Sequence, residues 1–395
     1  MGISKLSIAI ISDLHCYHIS SSNTLDSYLT TNKSRSNPKD HPVEGIIDLI
    51  KKENLSVDLT LCPGDFTNKS DQQGFISGWD FSLEIHGHLK GNQIIATIGN
   101  HDVDSYGTHS DYSLELAKGI RKGFPIDDEV SRDTFWSKGC VFIEGRSYRV
   151  LVINSSHFHY NKDSAASGRV DDSLVDYVEK YLDKASNDKI NIALSHHHPI
   201  DHSRLSLGEE DKIVNADALL EVLGKFKFDL FIHGHKHDPL LRYHNCSQTN
   251  HKIPILSSGS FSATTNLSWT SKRNTFHKID LVKDGSLKAK GKIKSWTFLP
   301  RNGWSVISDD GGFHPYTGFG NTDSLEQITR QIIGTVGSNP ITKWSDVVTA
   351  VPNVEFLMPN EAEDLMKLLK AESLIISPKI WEMPEYISNV KSIGT

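Results

Sequence analysis

Five short clusters of metal-binding residue types follow one another in a chain of 395 residues: Asp13-Leu14-His15, Gly64-Asp65, Gly99-Asn100-His101-Asp102, His196-His197-His198-Pro199 and Gly234-His235-Lys236-His237. The 20 histidines exceed what packing needs, and many stand beside Asp, Asn and Gly. Imidazole together with carboxylate suits borderline divalent ions such as Mn, Fe(II), Co, Ni and Zn, whereas an all-oxygen set would suggest Mg or Ca. One cluster alone says little, because DxH, GD and GHxH also arise by chance or as surface turns. Five in one order, each after a strand, define a single site.

The clusters need elements that bring them together. Short β-branched runs precede them, at Ser7 to Ser12, Leu59 to Cys62, Gln93 to Ile98, Ile190 to Leu194 and Asp229 to Ile232, with a further run at Val150 to Ile153. Each is too short for a helix and suits a buried strand. Helical spacing separates them, as in Val43, Ile46, Ile47 and Ile50, in Leu174, Tyr177, Val178 and Leu182, and in Leu219, Val222, Leu223 and Phe226. Alternating strands and helices predict an α/β layered domain, and polar residues just after the strands then converge where ligands gather. Asp13 and His15 alternate on a strand end, so both reach one ion only where the chain bends or opens.

The rhythm changes near residue 300. Residues Trp304 to Asn321 are rich in Gly, Asp and aromatics, and helical spacing follows at Leu325, Ile328, Ile332 and Val336 and again at Leu365, Leu368 and Leu369. Asn360 and Glu363 form a candidate capping box for the last helix. We therefore expect a catalytic domain over residues 1–298 and a small, mostly helical C-terminal module of unknown role over 299–395.

Composition narrows the function classes. Hydrophobic residues at 37% and charged residues at 23% are ordinary for a globular chain, and no apolar run is long enough to span a membrane. The four cysteines include no CxxC pair, so neither a disulfide framework nor a thiolate zinc site is expected, and a reducing cytoplasm fits best. A formal net charge of -7 argues against broad attraction to a nucleic-acid backbone.

The motif order DxH, GD, GNHD, His-x-Pro and GHxH resembles the calcineurin-like metallophosphoesterases over residues 13–237, and the expected resemblance extends through Ser258-Gly259-Ser260 to near residue 298. That resemblance implies a four-layer α/β/β/α sandwich and a pair of divalent ions, Mn, Fe, Zn, Ni or Co. By motif matching, Asp13, His15 and His237 hold the first ion, Asn100, His197 and His235 the second, and Asp65 bridges them. The family places its strand-end ligand two residues before the proline, which selects His197, and strand alternation turns His196 and His198 to the other face. Two dications, two carboxylates and a bridging hydroxide leave the ligand shell near +1, which suits an anionic phosphate ester. The resemblance gives His101 the role of protonating the leaving oxygen or stabilising transition-state charge, with Asp102 beside it to fix its tautomer. His157 is a candidate substrate contact, and His18, His86, His88 and His202 are weaker ones. Purple acid phosphatases carry a tyrosine three residues after the GD aspartate; Asn68 stands here and argues against that branch.

The expected activity is hydrolysis of a phosphate ester, preferably a diester of nucleotide-like or small organophosphate type, by attack of a metal-bound hydroxide. Two alternatives remain open at this stage: a nuclease acting on DNA or RNA, and a protein-interaction scaffold on a phosphoesterase fold. A protein partner or a homo-oligomer contact through the C-terminal module is also open. The loops at Ser20 to Pro42, Val103 to Arg132, Ser155 to Val170 and Ile200 to Lys212 carry no readable substrate code.

Overall fold

The computed structural model describes residues 2–18, 26–165, 167–186, 188–201, 211–264, 272–285, 288–307 and 313–393. Two sheets lie at its centre. The first runs β12 (Gly303–Ser305), β11 (Lys290–Leu299), β10 (Thr275–Asp284), β1 (Ile3–Ile10), β2 (Leu59–Cys62), β3 (Gln93–Ala96), with β13 (Tyr316–Phe319) also on β11. The second runs β4 (Cys140–Glu144), β5 (Tyr148–Ile153), β6 (Ile190–Leu194), β7 (Leu230–His233), β9 (Lys252–Ser257), β8 (Leu240–Asn245). β1, β2 and β3 are mutually parallel, as are β5, β6, β7 and β9. Their C-terminal ends carry the five clusters.

Side-chain alternation along these strands produces the layers. Leu6, Ile8 and Ile10 of β1 meet Val150, Val152, Ile192 and Leu194 between the sheets. Ala9 and Ile11 face the other way, under the helices Pro42–Glu53 and Gln72–Leu89. Leu151 and Ile153 lie under the helices Asp172–Leu182 and Ala216–Lys225. The result is the α/β/β/α sandwich, and each buried Val, Leu or Ile adds about 1.5–3 kcal/mol to its cohesion.

β12 and β13 pair with β11 beyond residue 298, so the first sheet continues past the expected end of the catalytic domain. A separate core begins with Ile328, Ile332 and Val336 and includes Leu365, Leu369, Ile376 and Ile387. It is built by the helices Leu325–Val336, Trp344–Ala350 and Pro359–Ala371 and by a three-stranded sheet, β14 (Ile341–Lys343), β16 (Tyr386–Asn389), β15 (Leu374–Ser377). Strands of three or four residues are too short to show alternation, which is why this sheet was not anticipated. The last of these helices begins at Pro359, where the backbone N–H of Met358 donates to Glu361 Oε2 at 2.9 Å, rather than at Asn360 with Glu363. Among the described residues no helix is long and apolar enough to cross a membrane.

Candidate metal centre

Asp13 and His15 follow β1, Asp65 follows β2, and His235 and His237 follow β7. All five hold left-handed backbone, with φ of 52°, 48°, 55°, 74° and 52° respectively. Each such non-glycine conformation costs about 1–2 kcal/mol, and strain of this kind persists where the surroundings over-determine the chain. Here main-chain bonds do so: the N–H of Asp13 donates to Gly64 O and that of His15 to Asp65 O, both at 3.0 Å. The N–H of His235 donates to Asp13 Oδ1 at 3.0 Å, tying the second sheet to the first. Gly99 is obligatory, because a Cβ there would stand 2.1 Å from Asp65 Oδ1. Gly64, at φ 106°, would put one 2.5 Å from Gly99 N.

The first donor group is Asp13, His15, Asp65 and His237, whose ligand atoms lie within 4.8 Å of one another. His237 Nε2 is 3.2 Å from Asp13 Oδ1, and His15 Nε2 is 3.5 Å from Asp65 Oδ2. The two Nε2 atoms are 2.9 Å apart. Burial opposes ionisation of Asp13, but hydrogen bonds from His15 and His237 outweigh it and hold its carboxyl well below the usual range. Burial likewise opposes ionisation of Asp65, and His196, His101 and His15 outweigh it. Two buried carboxylates facing two imidazole nitrogens form a donor set that fits a borderline divalent ion.

A second group shares Asp65. Asn100 Oδ1 lies 3.0 Å from His196 Nε2 and 3.0 Å from His235 Nδ1, and His196 Nε2 is 3.3 Å from Asp65 Oδ2. The partners of these rings assign their tautomers. His196 Nδ1 is 2.9 Å from Pro63 O and must donate to it. His235 Nε2 is 3.1 Å from Asp211 Oδ2 and donates there. The remaining nitrogens, His196 Nε2 and His235 Nδ1, therefore aim at the oxygens of Asn100 and Asp65, as ligands around a cation do. Burial opposes charge on His196, yet Asp65 and Asp13 outweigh it and hold its pKa up at about 9. In the metal-free protein a proton occupies Nε2, which a cation would displace.

The structure places three of the expected site residues as follows. His197, expected as the strand-end ligand, is buried with Nδ1 2.8 Å from Ser155 Oγ, and among the described residues its Nε2 has no hydrogen-bond partner. His196 is the histidine that faces Asp65; the chain turns at the end of β6, so strand alternation cannot be carried through all three histidines. Asp102 does not orient His101. Its Oδ2 accepts from the N–H groups of Asp65 (2.8 Å) and Gly99 (2.9 Å) and its Oδ1 from that of Thr67 (3.1 Å), stapling two loops together. Burial, with Asp65 nearby, pushes its carboxyl up to about 7. His157 lines a different cleft of about 290 Å³ with Lys138, Phe158, Asp171 and Tyr177. His159 is the nearer of the two, its ring 5.2 Å from that of His197.

His101 itself lies at the centre, its ring 4.6 Å from that of His15. The N–H of Lys69 donates to His101 Nδ1 at 3.2 Å, which places the ring proton on Nε2. Burial lowers its pKa to about 3, so the ring is neutral in the metal-free protein. His86 bonds Thr60 Oγ1 at 2.8 Å on the outer face and His18 bonds Thr31 Oγ1 at 2.6 Å. His88 lies half-buried on the helix Gln72–Leu89, and His202 lies outside the described residues. Asp211 was missed: it sits in a loop with no periodic pattern, and no spacing connects it to the motifs.

Two family models match stretches of the chain. Residues 6–239, more than half of the chain, match the family model described as calcineurin-like phosphoesterase. Residues 317–371 match a second one, wHTH-Calcineurin_assc, a winged helix-turn-helix. No curated protein sequence matches the chain. Among solved structures, a purple acid phosphatase from yellow lupin seeds is 18% identical at a TM-score of 0.42, with 74% of this chain and 52% of that one covered, so the chain spans about half of the lupin protein. GAP50, the anchor in the inner membrane complex of Plasmodium, is 12% identical at a TM-score of 0.40, covering 78% and 91%. Phosphopantetheinyl hydrolase from Mycobacterium tuberculosis is 9% identical at 0.35, covering 65% and 90%.

Proposed function

Since this chain belongs to the calcineurin-like phosphoesterase family, a family of metal-dependent phosphoester hydrolases, we propose that it hydrolyses a phosphodiester at a dinuclear centre. The observation that carries this reading is the sharing of Asp65 by two donor groups at the ends of β1, β2, β3, β6 and β7. Asp13, His15 and His237 would hold one divalent ion and Asn100, His196 and His235 the other, with Asp65 between. Bound there, the ions supply Lewis-acid charge and an acidified water. The chain's own residues do the rest. Asp65 and Asp13 are the two carboxylates of the set, so two dications held there would keep a net positive charge and draw in an anionic ester. His101, neutral and with its proton on Nε2, acts as a hydrogen-bond donor to charge developing on an ester oxygen.

The loops after β3 and β5 support a substrate with a flat group beside its phosphate. Tyr106 and Tyr160 are exposed, Lys162 Nζ lies 5.9 Å from the Tyr106 ring centre, and the Arg169 guanidinium lies 5.0 Å from that of Phe158. Rates on bis-p-nitrophenyl phosphate and p-nitrophenyl phosphate test the preference: faster cleavage of the diester is expected, and a monoester preference would reverse the class. Nucleic acid is not favoured, because on the helix Pro359–Ala371 Lys367 and Lys370 are offset by Glu363 and Asp364. The module instead suits a protein or a second copy of the chain. Ile341 and Ile375 flank Ser388 on the exposed side of its small sheet. Exclusively monomeric protein in light scattering, with no bound partner, would remove that assignment. Four free, buried cysteines fit a cytoplasmic location.

A further inference from the structure

We infer that Asp211 is a positioning residue that decides which nitrogen of His235 faces the second ion, an inference that rests on the dinuclear reading above. A neutral imidazole has one N–H and one lone pair, and a ligand histidine must turn the lone pair to the cation. Asp211 Oδ2, 3.1 Å from His235 Nε2, accepts the ring proton and leaves the Nδ1 lone pair toward Asn100 Oδ1, 3.0 Å away. The bond to Asp211 thus holds the ring at its Nε2 end. The carboxylate is only 22% exposed, so water competes weakly for the bond. It arrives from a loop that neither sheet dictates, so its role is separable from folding of the strands.

A different reading of the same atoms exists. His198, Asp211 and His235 place ligand atoms within 4.8 Å of one another and resemble a third cation cage. Lys236 argues against it. Its ammonium already pairs with Asp211 Oδ2, so the carboxylate's charge is met before any further cation arrives. His198 Nε2 is more distant, at 3.6 Å from Asp211 Oδ1. The carboxylate therefore carries one cationic partner and one imidazole donor, the arrangement of a carboxylate that orients a metal ligand from behind.

The experiment is manganese titration of metal-free protein, read as stoichiometry by elemental analysis and as stepwise affinity by calorimetry, on wild type, Asp211→Ala, Asp211→Asn and Lys236→Met. Wild type is expected to take two equivalents. Asp211→Ala should keep the first and weaken the second by about 10–100-fold. Asp211→Asn, whose amide oxygen still accepts from Nε2, should fall between, and Lys236→Met should stay near wild type. Melting curves on all four establish that the variants are folded, and Asp211→Asn serves if Asp211→Ala is not. A second site of wild-type affinity in folded Asp211→Ala overturns the inference while leaving the dinuclear centre standing. So does Lys236→Met behaving like Asp211→Ala, or a third equivalent that only Asp211→Ala loses. Wild type that takes fewer than two equivalents overturns the dinuclear reading itself, and this inference with it.

Discussion

Asp13, His15 and Asp65 come from the ends of β1 and β2 and are set by main-chain bonds between adjacent loops, with Asp102 stapling the loop of Asp65 to that of Asn100. His196 and His235, from β6 and β7, are instead aimed through their ring nitrogens by Pro63 O and Asp211. The contrast bears on robustness. A ligand held by backbone groups, the Pro63 carbonyl behind His196 included, keeps its place when a nearby side chain changes, whereas His235, held by the Asp211 side chain, rotates or changes tautomer when that partner is lost. The first half of the centre should therefore survive substitutions that empty the second.

Asp65→Asn should have the largest effect, because it removes the carboxylate common to both halves: hydrolysis falls to the uncatalysed background and metal stoichiometry drops below two. His101→Ala should cost about 100–10,000-fold in kcat with stoichiometry unchanged. The loss should be smaller for a p-nitrophenolate leaving group than for an alkoxide, and equal losses would argue against a role at the leaving oxygen. His196→Ala should abolish the second equivalent of metal while His197→Ala weakens it about 10-fold at most; the reverse ranking would return the ligand role to His197. Asp102→Ala leaves three buried N–H groups without their acceptor, so unfolding in urea should show a loss of about 1–3 kcal/mol or more, with two equivalents of metal still bound by the folded fraction. Ser155→Ala should do least, since it touches the centre only through His197, and a several-fold change in metal affinity would mean that His197 matters more than its position suggests.

Much of the first half was legible in the sequence because local order carries it. A strand end and a carboxylate within a few residues dictate both the turn and what it presents, so Asp13-Leu14-His15 and Gly64-Asp65 could be read directly. The strand runs were legible for the same reason: Leu59–Cys62 and Ile190–Leu194 are the observed bounds of β2 and β6. The second half was less so. Which of three consecutive histidines faces Asp65 depends on Pro63 O and Ser155, 133 and 42 residues away along the chain, and no local rule encodes such distances. Asp102 was misjudged from adjacency: next to His101 in sequence, it turns inward to the backbone of two loops. Asp211 and the short strands of the C-terminal module lacked any periodic signal.

The most direct test of the central claim is hydrolysis of bis-p-nitrophenyl phosphate by metal-free protein resupplied in turn with Mn, Ni, Co, Zn or Mg, with bound metal counted in the same samples for wild type and Asp65→Asn. Activity that returns as the second equivalent of a borderline metal binds, and that Asp65→Asn does not recover, is the predicted result. Folded wild type that binds no metal, or hydrolyses the ester equally well without it, would contradict the account.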